Sequence, residues 1–276
     1  MRLSIYTCVK DGLFYDYHLV EMLRHHLPLA DEIIVNDGYS SDGTYERIRD
    51  LDPKIKVFRS QWGKPNSGFD WITRFKNAAR ERCTGDWCIC LDCDEFIPEW
   101  DFERLRQHLA ETSDVMVPMT ILNFYGNYKV YHANPDKVAW PSWKMNTHRN
   151  LPEVEVWGDG SHIRVQGQPF SGRPRDLAFV VHHFGFVRLP ARLRQKWRLL
   201  SALHARKALR FALPSFLFNW MPHDWMDPQL LEDLAVHEGP YVKAVRESPD
   251  EFIRDHMKLY EYLRTRQPLQ HSSALS

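Results

Sequence analysis

The sequence predicts an α/β fold, with a mixed, mostly parallel sheet flanked by helices and a C-terminal helical extension. Short apolar runs alternate with amphipathic segments through the first half of the chain, which is typical of βαβ units. From Val115 onward, strand-like runs are separated by aromatic, proline-bearing loops, and the last third has helical periodicity. We therefore expect residues 1–114 and 115–187 to form two halves of one domain, and residues 188–276 to form the extension.

The elements of the first half follow from the spacing of apolar residues. Continuous apolar runs predict buried strands, apolar residues at a period near 3.6 predict amphipathic helices, and Pro28 and the Thr84-Gly85 turn mark helix ends. Asp42 is the expected cap of the helix that begins near Thr44. The predicted elements are strands Leu3–Val9, Glu32–Val35, Ile55–Phe58 and Trp87–Leu91, and helices Tyr17–His26, Phe69–Glu81 and one from Thr44.

The second half predicts an extension of the same sheet, followed by helices. Its strand-like runs are Val115–Leu122, Ile163–Val165 and Ala178–Val181. A basic helix over Arg188–Phe211, an aromatic run over Phe216–Trp225 and a last amphipathic helix over Asp250–Arg266 follow. The aromatic run and its neighbouring arginines fit either core packing, the commoner case, or an interfacial patch that contacts a membrane.

Composition excludes several classes of protein. The 36 basic residues balance the 36 acidic ones, so no net field steers the chain toward nucleic acid. No apolar run of about 18 residues predicts a membrane span, and no leader pattern opens the chain. The five cysteines, four of them between Cys83 and Cys93, are a poor disulfide framework. We expect the cysteines to be buried thiols. We expect the protein to lie in the cytoplasm or at the inner face of the membrane.

The strongest local signal is an acidic triplet at a predicted strand end. Trp87–Leu91 runs directly into Asp92-Cys93-Asp94. Ligands of open α/β sheets collect beyond the carboxyl ends of strands, and two carboxylates separated by one residue suit a hard cation that holds a diphosphate. The alternative is an acidic turn before the next helix, with Glu95 as a solvated charge. Asp37 also follows a strand end, next to the flexible Gly38 turn.

Three ordered stretches together resemble family 2 glycosyltransferases of the GT-A (Rossmann-like) fold, and among them the bacterial enzymes that build lipopolysaccharide and other cell-surface glycans. The stretches are Thr7–Asp11, Ile33–Thr44 and Gly85–Phe96. The resemblance implies that residues 1–114 bind a nucleotide sugar and that residues 115–187 form the acceptor side. It implies that Asp37 contacts the nucleotide base, and that Asp92 and Asp94 serve a donor diphosphate and a divalent Mn²⁺ or Mg²⁺ ion.

Other positions are assigned to the donor on the same resemblance. Thr7, Lys10 and Cys93 lie within the matching stretches. Lys10-Asp11 stands where many relatives have Asn-Glu, and Lys76-Asn77 stands where they often have Arg-Asn. Lys76 retains a point charge for phosphate without the bidentate fork of arginine, and an exposed helical lysine is an equal alternative.

The segment Val180–Phe186 resembles the family more faintly, through a late histidine motif followed by Lys196. Side chains alternate along a strand, so His182 and His183 are expected to face opposite sides. We assign His183 to the metal, because a neutral imidazole adds a nitrogen ligand. A buried, hydrogen-bonded histidine is the alternative.

The catalytic base is sought near a Gly-Asp-Gly turn. Asp159 is our candidate, with Glu155 behind it, because an acceptor hydroxyl must lose its proton as it attacks. His162 is a further candidate, although Ile163 stands where related enzymes often carry Glu. A tight bend alone explains these residue types equally well.

The sequence therefore predicts a metal-dependent, inverting transfer of a sugar from a nucleotide-sugar donor to a hydroxyl of a glycan or lipid-linked saccharide. A non-catalytic nucleotide or sugar-binding module and a sugar nucleotidyltransferase are the alternatives. The glycine-rich phosphate loop expected of a nucleotidyltransferase is absent, since Gly12 stands alone after the first strand.

Overall fold

The computed structural model describes most of the first 188 residues and short stretches beyond them. Asp159, the aromatic run, the last predicted helix and most of the predicted basic helix lie outside the described part. The described residues are 1–63, 70–133, 143–158, 160, 162–169, 178–188, 192–193, 195–196 and 234–246.

The first half forms the parallel part of a mixed sheet, as the apolar runs predict. Strands β1 (Leu3–Val9), β2 (Glu32–Asp37), β3 (Ile55–Arg59) and β4 (Trp87–Cys90) lie in the order β3-β2-β1-β4, and every adjacent pair is parallel. Helices α1 (Leu19–His26), α2 (Thr44–Ile48) and α3 (Asp70–Arg80) connect them. Their bounds agree with the predicted elements to within about two residues.

Asp42 stabilises the start of α2, although Gly43 is the residue at the cap position. The Thr44 N–H and the Thr44 hydroxyl donate to Asp42 Oδ1 over 3.0 Å and 2.6 Å. Asp42 Oδ2 also accepts from the Phe14 N–H over 2.7 Å. The carboxylate therefore ties the turn after β2 to the loop after β1.

The second half adds antiparallel strands to the same sheet. Strand β8 (Trp143–Arg149) lies between β4 and β6 (Met116–Tyr125) and is antiparallel to both. Strand β12 (Val180–Phe186) runs parallel to β6 and antiparallel to the short β5 (Glu95–Phe96). Two further strands, β7 (Val130–His132) and β13 (Leu234–Val236), extend this edge, and helix α4 (Phe102–Glu111) precedes β6.

The predicted strand Ile163–Val165 belongs to a separate sheet, which corrects the expectation that it extends the main one. Strands β9 (Val154–Trp157), β10 (His162–Val165) and β11 (Gln168–Pro169) form a three-stranded antiparallel sheet. The Asn77 side chain of α3 accepts from the Val156 N–H over 2.8 Å and donates to its carbonyl over 3.0 Å. This pair of hydrogen bonds holds the small sheet against α3.

Apolar cores lie on both faces of the main sheet. The larger includes Leu3 and Ile5 of β1 with Leu23 of α1, and the smaller joins Tyr6 of β1 to Ile163 of the small sheet. All five cysteines are buried free thiols, which confirms the prediction made from their spacing. Among the described helices, none combines the length and the apolar character that a bilayer crossing requires.

A buried histidine of β8 makes the fold sensitive to acid. His148 is fully buried, and its Nε2 accepts from the Tyr6 hydroxyl over 3.0 Å while Nδ1 donates to the Arg149 carbonyl. Burial lowers the pKa of His148 to about 4, although the hydrogen bond to Arg149 acts in the opposite direction. The native imidazole therefore stays neutral below pH ~6.5, where the unfolded chain takes up a proton.

We expect His148 to remove roughly 3 kcal/mol of stability as the pH falls from about 6.5 to about 4. Urea unfolding at intervals between these pH values measures the loss. The His148→Gln variant, which retains an acceptor for Tyr6 and does not titrate, should show a shallower dependence. Identical slopes for the two proteins would contradict this role.

Candidate active site

The acidic segment after β4 forms a tight turn that sends its carboxylates to different partners. The Asp92 N–H donates to Glu95 Oε2 over 2.9 Å, and the Glu95 N–H donates to the Asp92 carbonyl over 3.1 Å. The Asp94 carbonyl accepts from the Phe184 N–H of β12 over 2.8 Å. The turn is thereby fixed to the neighbouring strand, and Asp92 and Asp94 each lie in a separate group of cations.

Asp92 is held between two lysines. Lys76 Nζ of α3 donates to its Oδ1 over 2.5 Å, and Lys144 Nζ of β8 donates to its Oδ2 over 2.8 Å. Lys144 also forms an ion pair with the buried Glu95. Burial alone would raise the pKa of Asp92, but the charges of Lys144 and Lys76 outweigh it and hold the pKa well below its usual range.

Lys76 is a buried part of this network, so the interpretation as an exposed helical lysine is wrong. It is 4% exposed, and its ammonium also donates to the Gly160 carbonyl over 2.7 Å. Burial opposes its charge, yet the neighbouring Asp92 raises the pKa of Lys76 well above its usual value. The lysine therefore remains an ammonium ion that links α3, the acidic turn and Gly160.

Asp94 contacts a second set of cations. Arg188 Nη2 donates to its Oδ2 over 2.7 Å, and Lys196 Nζ donates to the same oxygen over 3.2 Å. Burial works against ionisation, but Lys196, His183 and Arg188 together hold the pKa of Asp94 well below its usual range. Burial and the nearby Arg188 lower the pKa of Lys196 to about 8, against the attraction of Asp94.

His183 faces the remaining oxygen of Asp94. Its Nδ1 lies 2.6 Å from Asn123 Oδ1, an atom that only accepts, so Nδ1 carries the proton. Its Nε2 lies 3.5 Å from Asp94 Oδ1. Two electron-rich atoms at this separation suit a shared proton or a shared cation. The donor set of one carboxylate oxygen and one imidazole nitrogen fits a divalent metal.

Gly185 leaves space for the His183 ring. A Cβ atom at residue 185 would lie 2.2 Å from Nε2 of His183. No side chain fits there while the ring holds its place. The absence of a side chain at residue 185 therefore permits the ring position that faces Asp94.

His182 lies on the other side of β12, in aromatic surroundings. Its ring packs against Phe124, His237 and Trp100. Burial, with smaller contributions from neighbouring histidines, lowers the pKa of His182 to about 3. The two adjacent histidines thus divide as strand alternation predicts, with His183 on the side of Asp94.

Asp37 is enclosed at the end of β2. It is fully buried, and its Oδ2 accepts from Arg59 Nε over 2.9 Å and from the Ser40 N–H over 3.1 Å. The Arg59 guanidinium lies between the rings of Tyr39 and Tyr45, at 4.4 Å and 4.5 Å from their centroids. Any contact of Asp37 with a base therefore involves Arg59, its partner in this buried ion pair.

Three further residues of the predicted donor site differ in their surroundings. Lys10 Nζ donates to the Gly38 carbonyl over 2.6 Å, beside Asp37. Thr7 and Cys93 are buried, with 3.8 Å between Oγ1 and Sγ. Their side chains join β1 to the acidic turn.

The two described candidate bases, Glu155 and His162, have partners within the small sheet. Glu155 accepts from Arg164 Nε over 2.7 Å within the small sheet, and His162 pairs with Trp157 across the same sheet. Asp159 lies outside the described residues. Within the described part, no three His, Cys, Asp or Glu side chains converge as a metal-binding group.

The sequence reasoning missed four residues of the site. They lie far along the chain from their partners: Lys144 is 52 residues from Asp92, and Arg188 is 94 residues from Asp94. Asn123 and Arg59 act through His183 and Asp37. One signal was available in the sequence: every second residue from Lys144 to His148 is polar, which is typical of a strand with one polar face.

Comparisons with known proteins identify the family of this chain. The sequence profile described as Glycosyl transferase family 2 matches residues 18–166, more than half of the chain. A comparison with curated proteins gives no match.

Solved structures show weaker similarity. Residues 1–349 of TarS from S. aureus, in complex with UDP-GlcNAc, are 13% identical, with a TM-score of 0.42 and coverage of 74% of this chain and 67% of that chain. TarS 1–349 solved on its own is covered over 66% of its length, just under two thirds. Glucosyl-3-phosphoglycerate synthase from Mycobacterium tuberculosis, in complex with Mn²⁺, UDP and glucosyl-3-phosphoglycerate, is 16% identical, with a TM-score of 0.39 and coverage of 58% and 62%.

The profile match runs from α1 to β10 and includes the acidic turn, but it ends before β12. On that match, this chain belongs to glycosyl transferase family 2, a family of glycosyltransferase enzymes with the GT-A fold.

Proposed function

We propose that this protein transfers a sugar from a nucleoside-diphosphate sugar to a hydroxyl of a glycan or lipid-linked saccharide, with a divalent metal and with inversion. The observation that carries the proposal is the Asp94 cluster at the sheet edge, where Asp94 meets Arg188, Lys196 and His183. The membership of the chain in glycosyl transferase family 2 supports the reaction class.

The charges of this cluster suit a diphosphate leaving group. Arg188 and Lys196 share a single carboxylate, so the group carries a net positive charge. A positive, largely buried group stabilises the negative charge that develops as a nucleoside diphosphate departs.

Asp94 and His183 are the residues that would hold the metal, through Oδ1 and Nε2. A divalent ion bound there would neutralise charge on the diphosphate oxygens. Asn123 keeps the His183 proton on Nδ1, and Arg188 keeps Asp94 ionised. Asp92 suits a different role, because both of its carboxylate oxygens accept hydrogen bonds from lysines. We assign it to positioning Lys76 and Lys144 beside the donor.

The proposed reaction exchanges one bond of the anomeric carbon for another. The acceptor oxygen forms a bond to the anomeric carbon, the bond from that carbon to the phosphate oxygen breaks, and the nucleoside diphosphate leaves with the electron pair. The hydroxyl proton passes to a general base. Asp159 stays our proposal for that base, with Glu155 and His162 as the other candidates.

A donor panel tests the proposal. The purified protein is incubated with UDP-, GDP-, CMP- and dTDP-sugars, with Mn²⁺, with Mg²⁺ or with a chelator, and release of the nucleotide is measured. We expect one class of donor to be hydrolysed or transferred, with a rate that falls at least tenfold in chelator. Binding of a donor without turnover under any condition would favour the non-catalytic binding module instead.

A further inference from the structure

A small cavity lies beside the lysine–carboxylate cluster, separate from the Asp94 site. Its polar wall is made by Lys76, Lys144, Asn146 and Gly160, and its apolar wall includes Ile163 of the small sheet. The space is about that of one oxygen-sized group. A ligand group that enters the cavity would contact side chains from α3, from β8 and from the small sheet.

Asn146 is the unusual member of this wall. It is 3% exposed, and neither Nδ2 nor Oδ1 has a hydrogen-bond partner among the described residues. Strand alternation places it on the same side of β8 as Lys144. Buried amides are nearly always hydrogen-bonded, so this amide requires a group that both donates and accepts.

The two lysines keep further donors near the same space. Lys76 Nζ donates to Asp92 and to Gly160, and Lys144 Nζ donates to Asp92 and to Glu95. An ammonium carries three N–H bonds. Each lysine therefore retains one donor beyond these contacts with described residues.

The charge of the cluster decides what kind of group fits. Lys76 and Lys144 balance Asp92 and Glu95, so these four side chains have no net charge. A phosphate or carboxylate would leave an uncompensated negative charge in a buried place, which is costly. A hydroxyl is neutral, accepts two hydrogen bonds and donates one. It matches the amide and an ammonium N–H together.

We propose that Asn146 is a specificity-determining residue that binds a hydroxyl of the transferred sugar in this cavity. The inference rests on the proposed function, because it assumes a nucleotide-sugar donor. The location supports a donor hydroxyl: both lysines of the wall bind Asp92, two residues from Asp94. The sugar is attached to the diphosphate that the Asp94 cluster is proposed to hold.

Calorimetric titration separates sugar recognition from nucleotide recognition. Wild type and Asn146→Leu are titrated with UDP, with UDP-glucose and with UDP-N-acetylglucosamine in the presence of Mn²⁺. We expect the variant to bind UDP within about twofold of wild type and to bind the preferred UDP-sugar about tenfold more weakly. Monodeoxy forms of that sugar should show one position whose removal weakens wild type and leaves the variant unchanged.

Asn150→Leu is the matched control. Asn150 Nδ2 donates to the carbonyls of Cys83 and Gly85, each over 3.0 Å, so this asparagine is satisfied within the fold. Its variant should melt at a lower temperature and keep the wild-type ratio of UDP-sugar to UDP affinity.

The outcomes distinguish the two levels of the proposal. An Asn146→Leu protein with unchanged affinity for both ligands would assign the cavity to a structural water and overturn this inference alone. Equal weakening for UDP and UDP-sugar would also overturn it, because it would indicate general damage. A wild-type protein that binds and processes no nucleotide sugar would overturn the proposed function, and this inference with it.

Discussion

The Asp94→Asn variant is expected to lose transfer or donor hydrolysis by a factor of roughly a thousand. Asparagine has the same shape, but it lacks the negative charge that Arg188 and Lys196 share and that would face a metal with His183. Initial rates at saturating donor measure the effect. Because the missing charge acts on the departing diphosphate, kcat should fall more than the affinity for donor.

The same change should also lower stability. Arg188 is fully buried, and removal of one partner from a buried ion pair costs about 3–5 kcal/mol. Circular dichroism at the assay temperature shows whether the variant is still folded. Asp86→Asn is the control, because Asp86 is an exposed carboxylate that accepts from the Arg2 N–H over 2.7 Å. An Asp94→Asn protein as stable as wild type would contradict the role of Asp94 in the buried ion pair. An equal loss of rate in Asp86→Asn would contradict a special role for Asp94 in the reaction.

The Lys144→Met variant is expected to be destabilised by about 3–5 kcal/mol. Lys144 is the cation that neutralises Glu95, which is fully buried, and it also holds Asp92. Methionine has a similar length and would leave the Glu95 carboxylate without this partner. Urea unfolding at neutral pH measures the loss.

A double variant identifies the cause. Lys144→Met with Glu95→Gln removes both charges, and it should recover a large part of the stability that Lys144→Met loses. Arg49→Met is the surface control: Arg49 pairs with Asp50 over 2.8 Å, and the two side chains are 51% and 80% exposed, so its loss should change stability little. Equal losses in Lys144→Met and Arg49→Met would show that burial of the network has no consequence.

The parallel half of the fold could be predicted because buried parallel strands are written as apolar runs. Strands β1, β2 and β4 have every residue buried, and runs such as Ile33–Val35 and Trp87–Cys90 are continuously apolar. Strand β8 could not be found in this way. Its buried face carries Lys144, Asn146 and His148, and periodicity interprets polar residues as exposed.

The site was predictable as far as single strand ends reveal it. Asp92 and Asp94 were proposed because they follow a strand, and ligands collect beyond the strand ends of a parallel sheet. His183 was proposed from a faint family resemblance, and it lies within β12. The division between Asp92 and Asp94 was not predictable. The sequence suggests one metal shared by Asp92 and Asp94, whereas the two carboxylates are held by different cations from β8, α3 and the segment after β12.

Buried cations explain why the rest was missed. Lysine and arginine are mostly exposed, so Lys144 and Arg188 carry no signal by themselves. They are buried here because a carboxylate distant in sequence compensates each of them. Such a pair becomes visible only when the topology brings β8 beside β4 and places β12 beside the acidic turn.

We propose that Asp94 and His183, and not Asp92, hold the metal that serves the donor diphosphate. Titration of Mn²⁺ in the presence of UDP, followed by electron paramagnetic resonance, tests this assignment directly. We expect Asp94→Asn and His183→Ala each to weaken Mn²⁺ binding at least tenfold, whereas Asp92→Asn should change it by less than about threefold. Loss of Mn²⁺ binding in Asp92→Asn, with normal binding in the other two variants, would contradict it.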